Sequence, residues 1–440
     1  MSNRVAHNPQ LPSIERSSAL LERAMKVIPC ATQTLAKGPT MYVRGAAPNF
    51  LQSGRGARVF DVDGNEYLDL VMALGPVSLG YAYHAVDEAI RQQLEQGISF
   101  SLVHPLEVEV AERVHELVPS AEMVRFSKTG ADATSAAVRL SRAYTGRSKV
   151  VSCGYHGWHD FHAGTMPRHA GVPDAVRALS ATFPYNDLDA AEKLIDDDTA
   201  CIILEPVAFE LPAPGFLEGL RALCDRRGCL LIFDEMWTGF RVGLGGAQSF
   251  YGVRPDLSCF SKAIANGMPL SVVCGRGEVM RLCEEDIFFF TTFGGETLSL
   301  AAALATLRVL EAKEVPTYIH TVGQKLMRGV QQVIDKHGLS YVRCTGLPCR
   351  SAVFLSPPQT DANLAKSFVQ QEFIQRGILW SGFHALSLSH TPDDIAYLVS
   401  AYGEVLPALD AAIKDGSLAS KVKGSPIGTP LRAQQMEQAR

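Results

Sequence analysis

The segment "LSCFSKAIANGMPLSVVCG", Leu257 to Gly275, sets one lysine, Lys262, between two short apolar runs. Runs this short and this apolar suit buried strands rather than helices. The intervening Asn266, Gly267 and Pro269 are turn formers. Lysine is normally a surface residue, so its place at the end of an interior strand needs a reason. Upstream, "CLLIFDE", Cys229 to Glu235, is a third such run, and it ends in carboxylates. Asp234 needs a partner there, because an unpaired charge in an apolar setting is costly.

Outward from this segment the pattern repeats. "MVRFS", "KVVSC" and "CIILEP" read as strands, and "ATSAAVRLSRAYTG" and "GFLEGLRALCDRRG" read as helices between them. Short apolar strands alternating with helices predict an α/β fold whose mostly parallel sheet is covered on both faces. Near the start, "SALLERAMKVIP" has helical periodicity and stops at Pro29, and "ARVFDVDGNEYLDL" alternates around Asp63-Gly64 as a hairpin does. After Glu311 come two long helical stretches, "VGQKLMRGVQQVIDKHG" and "DDIAYLVSAYGEVLPALDAAIK", with strands between them: a smaller α+β unit. The expected division is an N-terminal segment 1–75 contributing to the small domain, a large domain 76–311, a C-terminal small domain 312–420 and a polar, mobile tail 421–440.

Composition narrows the function classes. The chain has 440 residues, 47% hydrophobic and 20% charged, with a net charge of -5. That is a globular balance with no basic footprint for nucleic acid or an anionic membrane. Its 10 cysteines are scattered, with no C-x-x-C pair, so neither a zinc site nor a disulfide framework is expected. The N-terminus is polar and no run is long and apolar enough to span a bilayer, so a soluble, cytoplasmic protein is expected.

In a parallel α/β sheet, ligands bind beyond the carboxyl ends of the strands. Five candidate strand ends carry reactive or small residues: Lys128 to Thr134 ("KTGADAT"), Gly154 to Asp160 ("GYHGWHD"), Glu205-Pro206, Asp234-Glu235, and Lys262. Each alone has a plain alternative. Thr129 could simply cap a helix, Asp234 could do the same, Tyr155 and Trp158 could pack, His156 and His159 could be surface residues, and Lys262 could reach solvent along its stem. Together they meet the demands of one cofactor. A helix N-terminus suits a phosphate, an aromatic ring suits stacking, a carboxylate suits a pyridinium nitrogen and an amine suits an aldehyde, which is the inventory of pyridoxal 5'-phosphate.

The run "LLIFDEMWTGFRVGLGGAQSFYGVRPDLSCFSKAIANGMPLSVVCGR" resembles the class III pyridoxal-phosphate aminotransferases of fold type I. It is most similar to their glutamate-1-semialdehyde 2,1-aminomutase branch. The resemblance extends through "VFDVDGNEYLDL", "AVRLSRAYTGRSKVV", "YHG", "FPYNDL", "EPV" and "FGGETLSLAAA", leaving out only the first two dozen residues and the tail. It implies that Lys262 forms the internal aldimine, that Asp234 pairs with the pyridinium nitrogen and that Met236 packs behind the ring. Tyr155 would lie over the other face with His156 beside it. Thr129, Gly130 and Ala131 would hold the phosphate, and Glu205 would stand near the cofactor's hydroxyl. Thr292 would reach the phosphate of a neighbouring subunit, which implies a homodimer with shared active sites. Catalysis would fall to Lys262, Asp234 and Tyr155, with no metal. Lys262, freed by an amino substrate, would move a proton between substrate carbon and cofactor by way of a ketimine.

The chain departs from the aminomutase pattern where substrate is expected. "PCATQTLAKGP", Pro29 to Pro39, puts Lys37 where that branch has an arginine, and "SGFHALS" puts His384 where it has a glutamate. The loop after Pro206 also differs, and Ala131 replaces a threonine in the phosphate loop. A lysine offers a point charge instead of a two-pronged fork. The leading expectation is therefore an aminotransferase moving an amino group between a small-molecule amino donor and an aldehyde or ketone. An intramolecular aminomutase, an amino-acid epimerase and a non-catalytic cofactor-binding protein follow in that order. Lys37, Trp237 and His384 are the substrate-contact candidates, with Arg241, Trp380 and Phe383 beside them.

Overall fold

The structure, a computed structural model, describes residues 10–428. The chain divides into two compact units, one of residues 10–83 with 317–428 and one of residues 84–316.

The second unit is built on a seven-stranded sheet. Its strands are β1 (Met123–Ser127), β2 (Lys149–Cys153), β3 (Ser180–Thr182), β4 (Thr199–Leu204), β5 (Leu230–Asp234), β6 (Leu257–Phe260) and β7 (Ser271–Gly275). The order across the sheet is β1-β7-β6-β5-β4-β2-β3. β7 runs antiparallel to both of its neighbours, and the other pairs are parallel. The expected mixed but mostly parallel sheet is what forms. Every residue of β4, β5 and β6 is buried, and apolar clusters line both faces. That double coverage explains why these strands read as unbroken apolar runs instead of alternating ones. Cys153 pairs with Leu204, Leu204 with Phe233, and Asp234 with Cys259. The carboxyl ends of β2, β4, β5 and β6 therefore form one row, and the reactive residues beyond them share one edge. After Lys262 a short 3-10 turn, Lys262–Ala265, leads into Asn266 at φ 42 and Gly267 at φ 112. This left-handed reversal sends β7 back antiparallel.

The first unit has two smaller sheets. Leu51–Arg55, Arg58–Asp61 and Glu66–Asp69 form an antiparallel meander, joined in parallel by Ile378–Leu379. The expected hairpin is present. Asp61 Oδ1 accepts the N-H of Asp63 and of Asn65, and Gly64 supplies φ 91. Val342–Leu347, Arg350–Leu355 and Phe383–Ala385 form the other sheet, flanked by the helices Ala362–Gln375 and Pro392–Lys414. Of the tail segment 421–440, residues 429–440 lie outside the described residues, whereas Ser425 pairs with Arg44 and Ile427 is buried. Among the described residues no helix is long and apolar enough to cross a membrane.

Candidate active site

Asp234 ends a wholly buried strand and is itself 3% exposed. Its partner comes from the end of β2. His156 Nδ1 lies 2.8 Å from Asp234 Oδ2, and the N-H of Met236 donates to Oδ1 at 3.1 Å. The other ring nitrogen, Nε2, faces the Cys153 carbonyl at 3.2 Å. Both nitrogens thus meet acceptors, so each bond is made only when that nitrogen carries hydrogen. Each carboxylate oxygen keeps a lone pair for a further donor. Sequence reasoning asked for a partner to Asp234 but put His156 only beside a ring. The signal was the histidine at the next-but-one strand end.

The helix Gly130–Thr145 opens where β1 ends. Thr129 caps it in a reciprocal box: its Oγ1 accepts the Asp132 N-H at 3.2 Å, and the Asp132 carboxylate accepts the Thr129 N-H at 2.8 Å. The N-H groups of Gly130 and Ala131 belong to the first turn, which has no intrahelical acceptors, and the helix dipole favours an anion there. Two glycines bring neighbouring loops onto this turn. A Cβ on Gly130 would lie 2.9 Å from Met236 Sδ, and one on Gly157 would lie 2.6 Å from Ala131 Cβ. Thr134 Oγ1 also donates to the His156 carbonyl at 2.7 Å, tying that loop to the helix.

Glu205 follows β4, is 5% exposed and accepts the Tyr155 N-H at 3.0 Å. Gly154, at φ 109, has no room for a Cβ beside that carboxylate. The Tyr155 ring is half exposed, and burial, then the charges of Asp234 and Glu205, push its phenol above the usual range.

Lys262 is half-buried, with its backbone in the left-handed region at φ 52. Its Nζ lies 4.9 Å from the centroid of the Trp237 ring, and the Arg241 guanidinium lies 5.7 Å from the same ring. The lysine expected to be buried among apolar groups thus rests against an aromatic face. The turn that carries Trp237 is held by Glu235, a strand-end residue to which the sequence assigned no role. Glu235 is fully buried and accepts the Thr238 hydroxyl and the N-H groups of Ala247 and Gln248. Burial raises its carboxyl, and these donors oppose the rise. They pin the turn that carries Met236 and Trp237. The signal was the second carboxylate of "DE" followed by the glycines at 245 and 246.

Thr292 is exposed, on a loop whose Phe288, Phe290 and Phe293 are also exposed. Lys37, Trp380, Phe383 and His384 belong to the first unit. Lys37 is exposed at the end of a 3-10 turn. His384 is wholly buried, with Nδ1 2.8 Å from Ser351 Oγ and Nε2 2.7 Å from the Tyr402 hydroxyl. Both its nitrogens are engaged within its own unit. Among the described residues no group of three or more metal-ligating side chains converges.

The donor set fits pyridoxal phosphate. First-turn N-H groups suit the phosphate, spare lone pairs on Asp234 suit a protonated ring nitrogen, and the amine of Lys262 stands at the adjoining strand end.

Residues 41–393 match the sequence profile of the aminotransferase class-III family. The chain is 35% identical over 408 residues to the 3-aminobutyryl-CoA aminotransferase of Cloacimonas acidaminovorans (strain Evry), covering 89% of this chain and 97% of that one. It is 36% identical over 431 residues to the glutamate-1-semialdehyde 2,1-aminomutase 2 of Geobacillus kaustophilus (strain HTA426), covering 90% and 99%. Its fold matches that of the Sphingopyxis sp. MTA144 FumI protein in its pyridoxal-phosphate internal aldimine form, with a TM-score of 0.84 and 28% identity, covering 94% and 99%. The chain belongs to the class-III aminotransferases, and it is a pyridoxal-phosphate-dependent enzyme of fold type I.

Proposed function

We propose that this enzyme moves an amino group from a small-molecule donor to the carbonyl carbon of a second molecule, an aldehyde or ketone. The observation that carries the reading is the row of strand ends: Asp234 with His156, the Thr129–Ala131 turn, and Lys262.

When bound, the cofactor supplies a carbonyl that condenses with amines and a ring that withdraws electrons from the substrate carbon. The N-H groups of Gly130 and Ala131, with the Thr129 hydroxyl, bind the phosphate. The Asp234 carboxylate, oriented by His156, would hold a proton on the ring nitrogen. Met236 and Tyr155 would help to hold the ring, and Glu205 fixes Tyr155 through its N-H. Lys262 Nζ would act as the base that takes the proton from the amine-bearing carbon of the substrate. Trp237 offers that ammonium a resting surface when it is charged.

The test follows the nitrogen. With a 15N-labelled amino donor and a panel of aldehydes and keto acids, label should appear on the acceptor, and Lys262→Ala should lose transfer. Label retained in the donor's own carbon skeleton would replace this reading with an aminomutase. That second reading is favoured by the 36% identity to the aminomutase of G. kaustophilus.

A homodimer in the cytoplasm completes the proposal. Its support is the exposure of large apolar side chains on the second unit, where Leu102, Val103, Phe288 and Phe293 are all more than half exposed. Thr292, next to Phe293 in the chain, would serve the phosphate of a second copy.

A further inference from the structure

The loop that carries Thr292 is fastened, on both sides of that residue, to the segment that builds the phosphate turn. Arg139 donates from its guanidinium to the Phe288 carbonyl at 2.6 Å. The Arg125 guanidinium lies 5.4 Å from the Phe289 ring centroid and 4.8 Å from that of Phe290. Gly294 packs so closely that a Cβ would lie 2.9 Å from the Phe126 carbonyl oxygen. At the loop's far end, Lys128 Nζ meets Glu296 Oε2 at 3.0 Å, with the two side chains only 20% and 12% exposed.

Glu296 is also the cap of the helix Thr297–Ala312, accepting the N-H groups of Leu298 and Ser299 and the Ser299 hydroxyl. Burial works against its charge, but the Ser299 hydroxyl, Lys128 and the Leu298 N-H outweigh it and hold the carboxyl below its usual range. Lys128 immediately precedes Thr129, so it could be read as a cation for its own chain's phosphate. Its ammonium is engaged by a largely buried carboxylate, and that carboxylate ends the loop.

We infer that Lys128 is a positioning residue whose ion pair with Glu296, together with Arg125 on Phe289 and Phe290, sets Thr292 for the phosphate site of a second copy. Its effect is therefore felt in the neighbouring active site and not in its own. This inference rests on the reading of Thr292 as a residue shared between subunits.

Mixed dimers test it. Two differently tagged chains are co-expressed, so that only one Lys262 remains per dimer, and release of the lysine-linked cofactor from that live site is followed by its absorbance against a trapping amine. When Lys128→Met is placed in the Lys262→Ala chain, the live site receives its Thr292 loop from the altered chain, and release should quicken about tenfold, equivalent to about 1.4 kcal/mol. When Lys128→Met is placed in the chain that keeps Lys262, release should match the parent mixed dimer. Lys128→Arg, which keeps the ion pair, should restore the parent rate in the first arrangement. A defect confined to the altered chain's own site, or none in either arrangement, would overturn the inference. Thr292→Ala in the Lys262→Ala chain separates the two levels. If it too has no effect, the shared-site reading fails; if it quickens release while Lys128→Met does not, only the role of Lys128 fails.

Discussion

His156 Nδ1 lies 2.8 Å from Asp234 Oδ2, and both side chains are almost wholly buried. The pair joins the ends of two strands that are not neighbours, β2 and β5, across the end of β4. Removing one member of such a pair leaves a buried charge without compensation, at a cost of about 3 kcal/mol. A cofactor with a protonated ring nitrogen would supply the missing partner. His156→Leu should therefore lower the melting temperature of the cofactor-free protein and gain more from added pyridoxal phosphate than the parent does. Thermal denaturation with and without the cofactor measures this, and equal gains would place the pair away from the cofactor nitrogen.

Gly157 carries two constraints at once. Its φ is 102, and a Cβ there would lie 2.6 Å from Ala131 Cβ. Gly157→Ala should cost about 1–3 kcal/mol and displace the first turn proposed to bind phosphate, so cofactor should be lost on dialysis. Gly171, at φ 92 with nothing within 4 Å, is the control. Gly171→Ala should show the backbone cost with cofactor retained. Equal retention in both variants would remove Ala131 from the phosphate site.

The Trp237 ring faces the Lys262 ammonium at 4.9 Å. Contacts of this kind contribute about 0.5–2 kcal/mol. Trp237→Leu should slow amino transfer up to about tenfold, and Trp237→Phe should recover part of the loss. The diagnostic is the kinetic isotope effect with a donor deuterated at the amine-bearing carbon. It should grow in Trp237→Leu if the affected step is the proton transfer proposed for Lys262. A slower enzyme with an unchanged isotope effect would mean that Trp237 acts elsewhere.

His384 gives the first unit a defined acid sensitivity. Burial, reinforced by nearby His390, pushes it from its ordinary 6.5 to about 3. Below pH 6.5 the unfolded chain binds a proton that the folded chain does not, so stability falls as pH falls from about 6.5 toward 3. Each unit of that window is worth about 1.4 kcal/mol. His384→Gln can keep hydrogen bonds to Ser351 and Tyr402 but does not titrate. Its urea midpoint should fall less than the parent's between pH 7 and pH 4.5. Parallel falls in the two proteins would falsify the assignment.

Much of the site was legible because each strand is short, apolar and ended by a polar residue. Asp234, Lys262 and the Thr129 turn could be placed at strand ends from periodicity alone, since a doubly covered parallel sheet leaves few other positions for such residues. The partners were not legible. His156 and Asp234 are far apart in sequence, and only the strand order brings them to one edge. Glu235 looked like a second carboxylate of the same motif, yet it is buried and holds up the turn beneath Trp237. His384, read as a substrate contact from its place in a motif, is bonded on both nitrogens within its own unit.

The sequence by itself determined the strand pattern, the helix cap at Thr129 and the residue types at each strand end, because these follow from local periodicity and capping chemistry. Tertiary structure alone decided that His156 is the partner of Asp234, that Lys262 rests on Trp237 and that Lys128 is engaged by Glu296. Those outcomes depend on which strands become neighbours and which loops glycine allows to touch, and neither is written in any local stretch of the chain.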